Sequence, residues 1–181
     1  MPRGSWSSTT LKDLVEMGTP PLTSFGIPMN AATWIRRNAY GAVVLDIVDD
    51  ETIGVTQVFE TGEIWGMEKW LLRNTDHDGV PYIPSERLET HLEEALDQYL
   101  HFAKDALHLE LPLRFIAGLS GIEGYKMAMD HGCFTDVVFK DEVLFEGTVT
   151  SFEEAVKDIL RPLYASVWDA CGRSYPLNNE A

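Results

Sequence analysis

The stretch IPSERLETHLEEALDQYL, residues 83–100, carries the clearest fold signal in the chain. From Ser85 onward its apolar residues recur at three- and four-residue steps, a spacing that places them on one face of an amphipathic helix. The pattern predicts a helix from Ser85 to about His108. The predicted apolar stripe comprises Leu88, Leu92, Leu96, Tyr99, Ala103 and Ala106.

A second amphipathic helix is predicted near the end of the sequence. Ser151 and Glu154 fit a capping box, in which each side chain satisfies a free backbone amide of the first turn. Pro162 is expected to bend this helix because proline lacks an amide hydrogen, and Gly172 offers a left-handed C-terminal cap. The predicted stripe comprises Phe152, Val156, Ile159, Leu163, Val167 and Ala170.

Segments with the composition of β-strands precede and separate these helices. A charged turn at 49–51 joins two of them into a hairpin, and a second hairpin is predicted around 140–142. The sequence therefore predicts an α+β fold, with a mostly antiparallel sheet of about five or six strands and two long helices packed on one face. The predicted strands are 42–48, 53–59, 64–67, 113–119, 125–129, 137–139 and 143–145.

The beginning of the chain differs in composition from the rest. Its first residues are dense in Ser, Thr, Pro and Gly, so we assign residues 1–38 to an N-terminal arm, either flexible or docking. Residues 39–181 are expected to form a single α+β domain. A chain of 181 residues with 45% hydrophobic content supplies one sizeable core rather than two.

The charge balance is strongly acidic. The chain has 14 Lys and Arg against 29 Asp and Glu, which gives a formal net charge of −15. Direct binding to nucleic acid is disfavoured, because such binding depends on cations that neutralise phosphates. The same charge favours a protein partner with a basic surface, since opposite charges steer association.

Cysteine usage and hydropathy bear on the compartment. Cys133 and Cys171 have no metal-type spacing, and two cysteines in an ordinary core indicate a reducing environment. No apolar run approaches the roughly 20 residues of a membrane span, and the N-terminus lacks the apolar region of a secretory signal. We therefore expect a cytoplasmic protein that does not contact membranes.

Several segments together resemble a known bacterial arrangement. They are IPSERLETHLEEALDQYL (83–100), LPLRFIAGLSGIEGYKMAM (111–129), LRPLYASVWDACGRSYPLNNE (160–180) and VTQVFETGEIWGMEKWLL (55–72). Residues 43–179 are similar to the C-terminal region that follows a Schlafen-type, AlbA-like DNA- or ATP-binding domain. The resemblance implies no catalytic residue, and the AlbA-like core is missing upstream. It implies an accessory module that works beside a separately encoded partner.

A candidate metal loop lies at residues 74–79. Oxygen-bearing side chains alternate there and glycine is sixth, as at the start of a calcium loop. The twelfth position is Ser85 rather than Glu, so an Asx-rich surface turn is the competing interpretation. Two histidines on one face of the predicted helix could add ligands, although a solvated or partner-binding face explains them too. The candidate ligands of calcium or another divalent metal are Asn74, Asp76, Asp78, His91 and His101.

The chain contains none of the common catalytic signatures. Gly118, Gly121 and Gly124 recur at every third residue, but a strand follows them rather than the helix that a phosphate-binding loop needs. No nucleophile lies beside a credible base in the sequence. An enzyme is therefore the less favoured class.

Our functional hypothesis is a non-catalytic, acidic protein-interaction module, an accessory or regulatory subunit that requires no cofactor. Its partner would have a basic surface and could itself act on nucleic acid. The alternative is a metal-dependent hydrolase or small-ligand-binding domain that uses the loop at 74–79. A homodimer through an exposed strand edge is also compatible with the sequence. The candidate partner-binding residues are Trp6, Trp34, Trp65 and Trp70, because large aromatic side chains commonly anchor interfaces.

Overall fold

The computed structural model describes residues 6–17, 32–129 and 133–176. The fold is α+β, as predicted. The chain divides into two compact units. Of the described residues, 6–17, 32–70 and 94–110 belong to unit 1, and 71–93, 111–129 and 133–176 belong to unit 2.

Unit 1 is built on a four-stranded antiparallel sheet in which each strand pairs with the next along the chain. Asp49 and Asp50 make the turn of the predicted central hairpin, both with positive φ (50° and 63°), a conformation that Asp tolerates better than most residues. The pairing shifts register between Asp46 and Ile47, which marks a bulge. The strands are β1 Ala32–Asn38, β2 Gly41–Val48, β3 Glu51–Phe59 and β4 Ile64–Glu68.

The helix α1, Ser8–Met17, packs against this sheet. Its Leu11 and Val15 are fully buried in the core of unit 1. The backbone amide of Trp6 donates to the carbonyl of Glu60 at 3.1 Å, which ties the start of the helix to the β3–β4 turn. Residues 32–38, which the composition assigns to the arm, are strand β1 of the sheet.

A long helix, α2, covers Ser85–His101 and begins where the leucine pattern predicts. Its first nine residues belong to unit 2 and the remainder to unit 1. A short π-helical turn, Phe102–Ala106, continues it, so the helical run ends close to the predicted limit. Phe102 and Leu107 close the core cluster of unit 1, whose buried members are Leu11, Val15, Ala42, Val44, Val58, Phe102 and Leu107.

Unit 2 contains two pairs of strands and the last helix. One pair is parallel and short, whereas the other is an antiparallel ribbon of two eight-residue strands. The helix packs against the second strand of that ribbon. The elements are a 3₁₀ turn Leu71–Arg73, β5 Tyr82–Pro84 paired with β7 Lys126–Ala128, β6 Leu113–Ser120 paired with β8 Glu142–Val149, and α3 Val156–Ala170.

The described strands thus lie in three sheets of four, two and two strands rather than in one continuous sheet. The hairpin predicted around 140–142 is wrong. Val138 exchanges backbone hydrogen bonds with Gly124 (2.8 Å) and Tyr125 (2.7 Å), and residues 137–139 form no strand. β8 pairs with β6 instead.

The N-terminal cap predicted for α3 is also wrong. The helix begins at Val156, and Ala155 precedes it without a side-chain cap. The hydroxyl of Ser151 accepts a hydrogen bond from the amide of Glu153 at 3.1 Å, which closes a local turn instead. The C-terminal prediction is confirmed, because Gly172 follows the helix with φ of +71°.

Candidate functional site

The sheet of unit 1 has one covered side and one open side. Residues directly opposite each other on antiparallel strands point to the same side of a sheet. Ala42, Val44 and Val58 point into the core cluster. The alternating residues form the other side, here named the open face: Trp34, Leu45, Val55 and Met67 in one row across the strands, and Arg36, Val43, Gln57 and Trp65 in the next.

Two indole rings flank an apolar floor on the open face. Trp34 lies on edge strand β1 and is 48% exposed, while Trp65 lies on the opposite edge strand β4 and is 57% exposed. Met67 beside Trp65 is exposed too. The floor between them is made by the half-buried apolar residues Val43, Leu45 and Val55, together with the buried Gln57. Exposed aromatics around an apolar patch are typical of interaction surfaces.

The polar residues of the open face are already engaged. Gln57 Oε1 accepts a hydrogen bond from Asn38 Nδ2 at 2.6 Å, and its Nε2 donates to the carbonyl of Val58 at 2.9 Å. The guanidinium of Arg36 lies 5.1 Å from the centroid of the Trp34 ring, within cation–π range. When a partner covers this face, the side-chain amide of Gln57 therefore keeps its hydrogen bonds.

Carboxylates stand at both ends of the same sheet. The β2–β3 turn exposes Asp49 and Asp50 at one end. Glu60 and Glu63 lie at the β3–β4 turn at the other end, where Glu60 also accepts a hydrogen bond from the amide of Ser8 at 3.0 Å. The open face therefore combines an apolar centre with an acidic periphery.

The structure separates the four candidate tryptophans. Trp34 and Trp65 share the open face, whereas Trp6 packs against the core cluster on the covered side. A side chain at Gly62 would lie only 2.8 Å from the Trp6 ring, which shows how closely that ring is packed. Trp70 is half-buried and makes contacts of its own. Alternation along β4 is enough to place Trp65 and Met67 on the same side of the sheet. Trp34 could not be placed there from the sequence, because that requires β1 to be a strand.

The candidate metal loop is held together by Asp76. Its Oδ1 accepts hydrogen bonds from the amides of Asp78 and Val80, both at 2.9 Å, and its Oδ2 accepts one from Lys126 Nζ at 3.1 Å. The side chain is only 2% exposed. The hydrogen bond from Val80, with those from Lys126 and Asp78, lowers the pKa of Asp76 despite the opposing effect of burial. This carboxylate therefore stabilises the turn through its hydrogen bonds.

The structure gathers part of the predicted ligand set and adds one residue to it. Asp76, His77 and Asp78 bring their ligand atoms within 4.8 Å of one another. His77 is missing from the predicted set, because alternation in the calcium motif skips it. Asn74 uses its amide to donate to the carbonyl of Leu71 at 2.8 Å.

The two helical histidines fall in different units. His91 lies half-buried on α2 in unit 2 and makes an interaction of its own. His101 is exposed in unit 1, where its Nδ1 is 2.9 Å from the carbonyl oxygen of Asp97. The ammonium of Lys126 already neutralises Asp76, and its positive charge opposes a metal ion at that carboxylate.

A second group of polar residues, of which Tyr164 is buried and Glu89 and Tyr175 are half-buried, joins α2 to α3 within unit 2. The hydroxyl of Tyr175 donates to Glu89 Oε2 at 3.2 Å, and the hydroxyl of Tyr164 donates to the Glu89 carbonyl at 3.3 Å. The Tyr175 ring contacts Tyr164 and Trp168, with centroids 5.9 and 6.1 Å apart. Burial raises the pKa of Glu89 and raises that of Tyr175 to about 12. The group fastens residues after α3 to α2.

Comparisons with known proteins assign no family to the chain. No protein-family model matches it, and no curated protein or solved structure does either. No helix in residues 6–17, 32–129 and 133–176 has the length and apolarity to cross a membrane.

Proposed function

We propose that this protein is a non-catalytic interaction module, an accessory or regulatory subunit, and that its open face binds a protein partner with a basic surface. The observation that carries the proposal is the pair of exposed indoles, Trp34 and Trp65, on either side of an apolar floor in an acidic chain. Aromatic anchors within an apolar centre supply most of the binding energy in typical interfaces.

The size of the open face supports a partner that adds contacts around its edge. Four strands spaced by about 4.8 Å, with rows about 6.7 Å apart, give a floor on the order of 300 Å². Patches of roughly that size mark functional surfaces on monomers. Two copies packed face to face would bury about 600 Å², which is below the roughly 1,200 Å² of stable complexes. The open face alone is therefore too small for a stable complex, and a partner must also contact residues around it.

Charge supports the identity of that partner. The net charge of −15 and the acidic turns at both ends of the sheet attract a basic protein and repel other acidic proteins. Arg36 lies on edge strand β1, where its guanidinium stacks on the Trp34 ring. A complementary surface would therefore carry apolar residues in the middle and Lys or Arg around them.

Site-specific photo-crosslinking tests the proposal in the cells that make the protein. A photoreactive phenylalanine analogue at position 65 is compared with the same analogue at position 139, because Phe139 is an exposed aromatic (82%) in unit 2. We expect a basic protein to be captured from position 65 and not from position 139. Capture of an acidic protein, or equal capture from both positions, would overturn the proposal.

The purified pair then gives the quantitative test. Replacing both indoles (Trp34→Ala with Trp65→Ala) should weaken binding at least tenfold, since the loss of even one buried aromatic anchor costs about 2 kcal/mol or more and such losses do not simply add. Phe139→Ala is the matched control and should bind as the unchanged protein does. The association rate should fall as salt is added, because screening weakens steering between exposed charges.

The alternative function, a metal-dependent hydrolase or small-ligand-binding domain, would use the loop at 74–79. The close approach of Asp76, His77 and Asp78 favours it. The three hydrogen bonds that Asp76 accepts favour the interaction module instead, because they account for this carboxylate as part of a structural turn. Stabilisation by a divalent metal distinguishes the two functions.

A further inference from the structure

Within the part of the chain that the structure describes, the antiparallel ribbon of unit 2 has two open edges. Among the described residues, β6 and β8 pair only with each other. No residue of 113–120 forms a backbone hydrogen bond to another described segment. A two-stranded ribbon is marginal by itself, and each open edge presents unpaired amides and carbonyls to any further strand.

The two edges are protected very differently. β8 directs Glu142 and Glu146 to its solvent side, and carboxylates of this kind discourage strand pairing. The sequence of β6, LRFIAGLS, has no carboxylate although acidic residues outnumber basic ones twofold in the chain. Its Arg114 is held by Glu146 of β8 across the ribbon, and its Ile116 is 70% exposed. β6 is therefore the edge that lacks the carboxylates which discourage strand pairing.

We propose that β6 is a dimerisation edge, which pairs antiparallel with β6 of a second copy about a two-fold axis at Ala117. The surface differs from the open face of unit 1, and the inference does not depend on the proposed function. Each ribbon of two strands becomes half of a continuous four-stranded sheet. Main-chain hydrogen bonds along β6 supply the contact, as in other cases of strand addition.

The sequence of β6 is self-complementary in this register. Residues that lie opposite each other on antiparallel strands point to the same side of the sheet. A two-fold axis between two residues of β6 would place exposed residues opposite half-buried ones, whereas an axis through a residue keeps like sides together. An axis at Ala117 places Ile116 opposite Gly118 of the second copy and Phe115 opposite Leu119. Gly118 already lies beside the large Leu144 of β8, and an added Cβ would overlap the Val143 carbonyl. The glycine leaves room for a large side chain on each side.

No like charges face each other in this arrangement. Arg114 lies opposite Ser120 of the second copy, and the carboxylates of β8 lie on the two outer strands. At longer range the copies repel, because each has a net charge of −15. Added salt should therefore strengthen the dimer, whereas it should slow association with the basic partner. The opposite salt dependence keeps the two proposals experimentally separate.

Sedimentation analysis of the full chain at micromolar concentrations tests the dimer. Ile116→Lys should raise the dimer dissociation constant at least tenfold, because the two introduced ammonium groups would lie diagonally across the new pairing. Phe139→Lys is the matched control. Phe139 is also a large exposed apolar residue of unit 2 (82%), but it lies outside β6 and β8. Circular dichroism verifies that both variants fold.

A crosslink provides the second measurement. Ala117→Cys in a Cys133→Ser background should give a disulfide-linked dimer under mild oxidation, because residues opposite each other across a pair of strands are within disulfide range. Thr148→Cys, on β8, should not. A chain that stays monomeric, equal dimerisation by Ile116→Lys and the unchanged protein, or equal crosslinking through Thr148→Cys would each overturn the proposal. So would a monomer that instead binds an extended strand of another protein.

Discussion

Truncation of Leu11 to alanine tests whether α1 is an integral part of unit 1. Leu11 is fully buried and packs with Val15, Ala42, Val44 and Val58. Leu→Ala at such a site removes transfer free energy and leaves a cavity, so we expect the free energy of unfolding to fall by about 3 kcal/mol, within a range of roughly 2–5. For a unit of this size, each kcal/mol lowers the melting temperature by about 4–8 °C.

Urea denaturation followed by tryptophan fluorescence measures this effect, because Trp6, Trp34 and Trp65 all lie in unit 1. Met17→Ala is the control on the same helix, since Met17 is 80% exposed and such changes stay within about 0.5 kcal/mol. A loss below about 0.5 kcal/mol for Leu11→Ala would refute the packing of α1 against the sheet. It would favour a mobile N-terminal arm instead.

The remaining predictions concern titration and metal binding. Burial raises the pKa of Tyr99 from 10.0 to about 12, against a lowering hydrogen bond with Thr56 (2.7 Å), so the folded state retains a proton that the unfolded state loses. Stability should therefore fall as the pH rises from 10 to about 12. The urea midpoint of Tyr99→Phe should decrease less over this pH range than that of the unchanged protein. Because the pKa of Asp76 is lowered in the folded state, its carboxylate stabilises the fold above pH 3.8, and this stabilisation is lost at lower pH. Asp76→Asn should therefore reduce the decrease of the urea midpoint in acid. Millimolar calcium should leave the melting temperature unchanged because Lys126 already neutralises Asp76; a rise that Asp78→Asn abolishes would support the metal site instead.

Periodicity predicts the elements whose burial pattern is regular. The leucine stripe after Ser85 fixes the start of α2, and the alternation around the 49–51 turn gives the central hairpin with its strands. Both signals depend on residues close in sequence. The structure bears them out because local pattern and tertiary packing agree there.

Other elements depend on contacts that a local pattern cannot show. β1 includes Arg36, Arg37 and Asn38, so it has the composition of a loop, yet it is an edge strand whose polar residues face solvent. Residues 137–139 have the composition of a strand, but the backbone of Val138 pairs with the segment at 124–125. Sequence composition in each case describes the environment of the side chains and not the partner of the backbone.

The candidate sites show the same limit. The spacing of the 74–79 loop suggests a metal, but Lys126, which holds Asp76, is 50 residues further along the chain. Alternation along β2 and β3 defines two sides of the sheet, but only the packing of α1 and of the helical residues after Glu94 decides which side is covered. The exposure of Trp34 and Trp65 is therefore a property of the folded unit.

The dissociation constant between this protein and the partner captured through position 65 tests the central claim most directly. With both indoles of the open face replaced by alanine, we predict a value at least ten times higher, while Phe139→Ala leaves it unchanged. Equal affinity for the double variant and the unchanged protein would contradict the assignment of the open face as the binding surface.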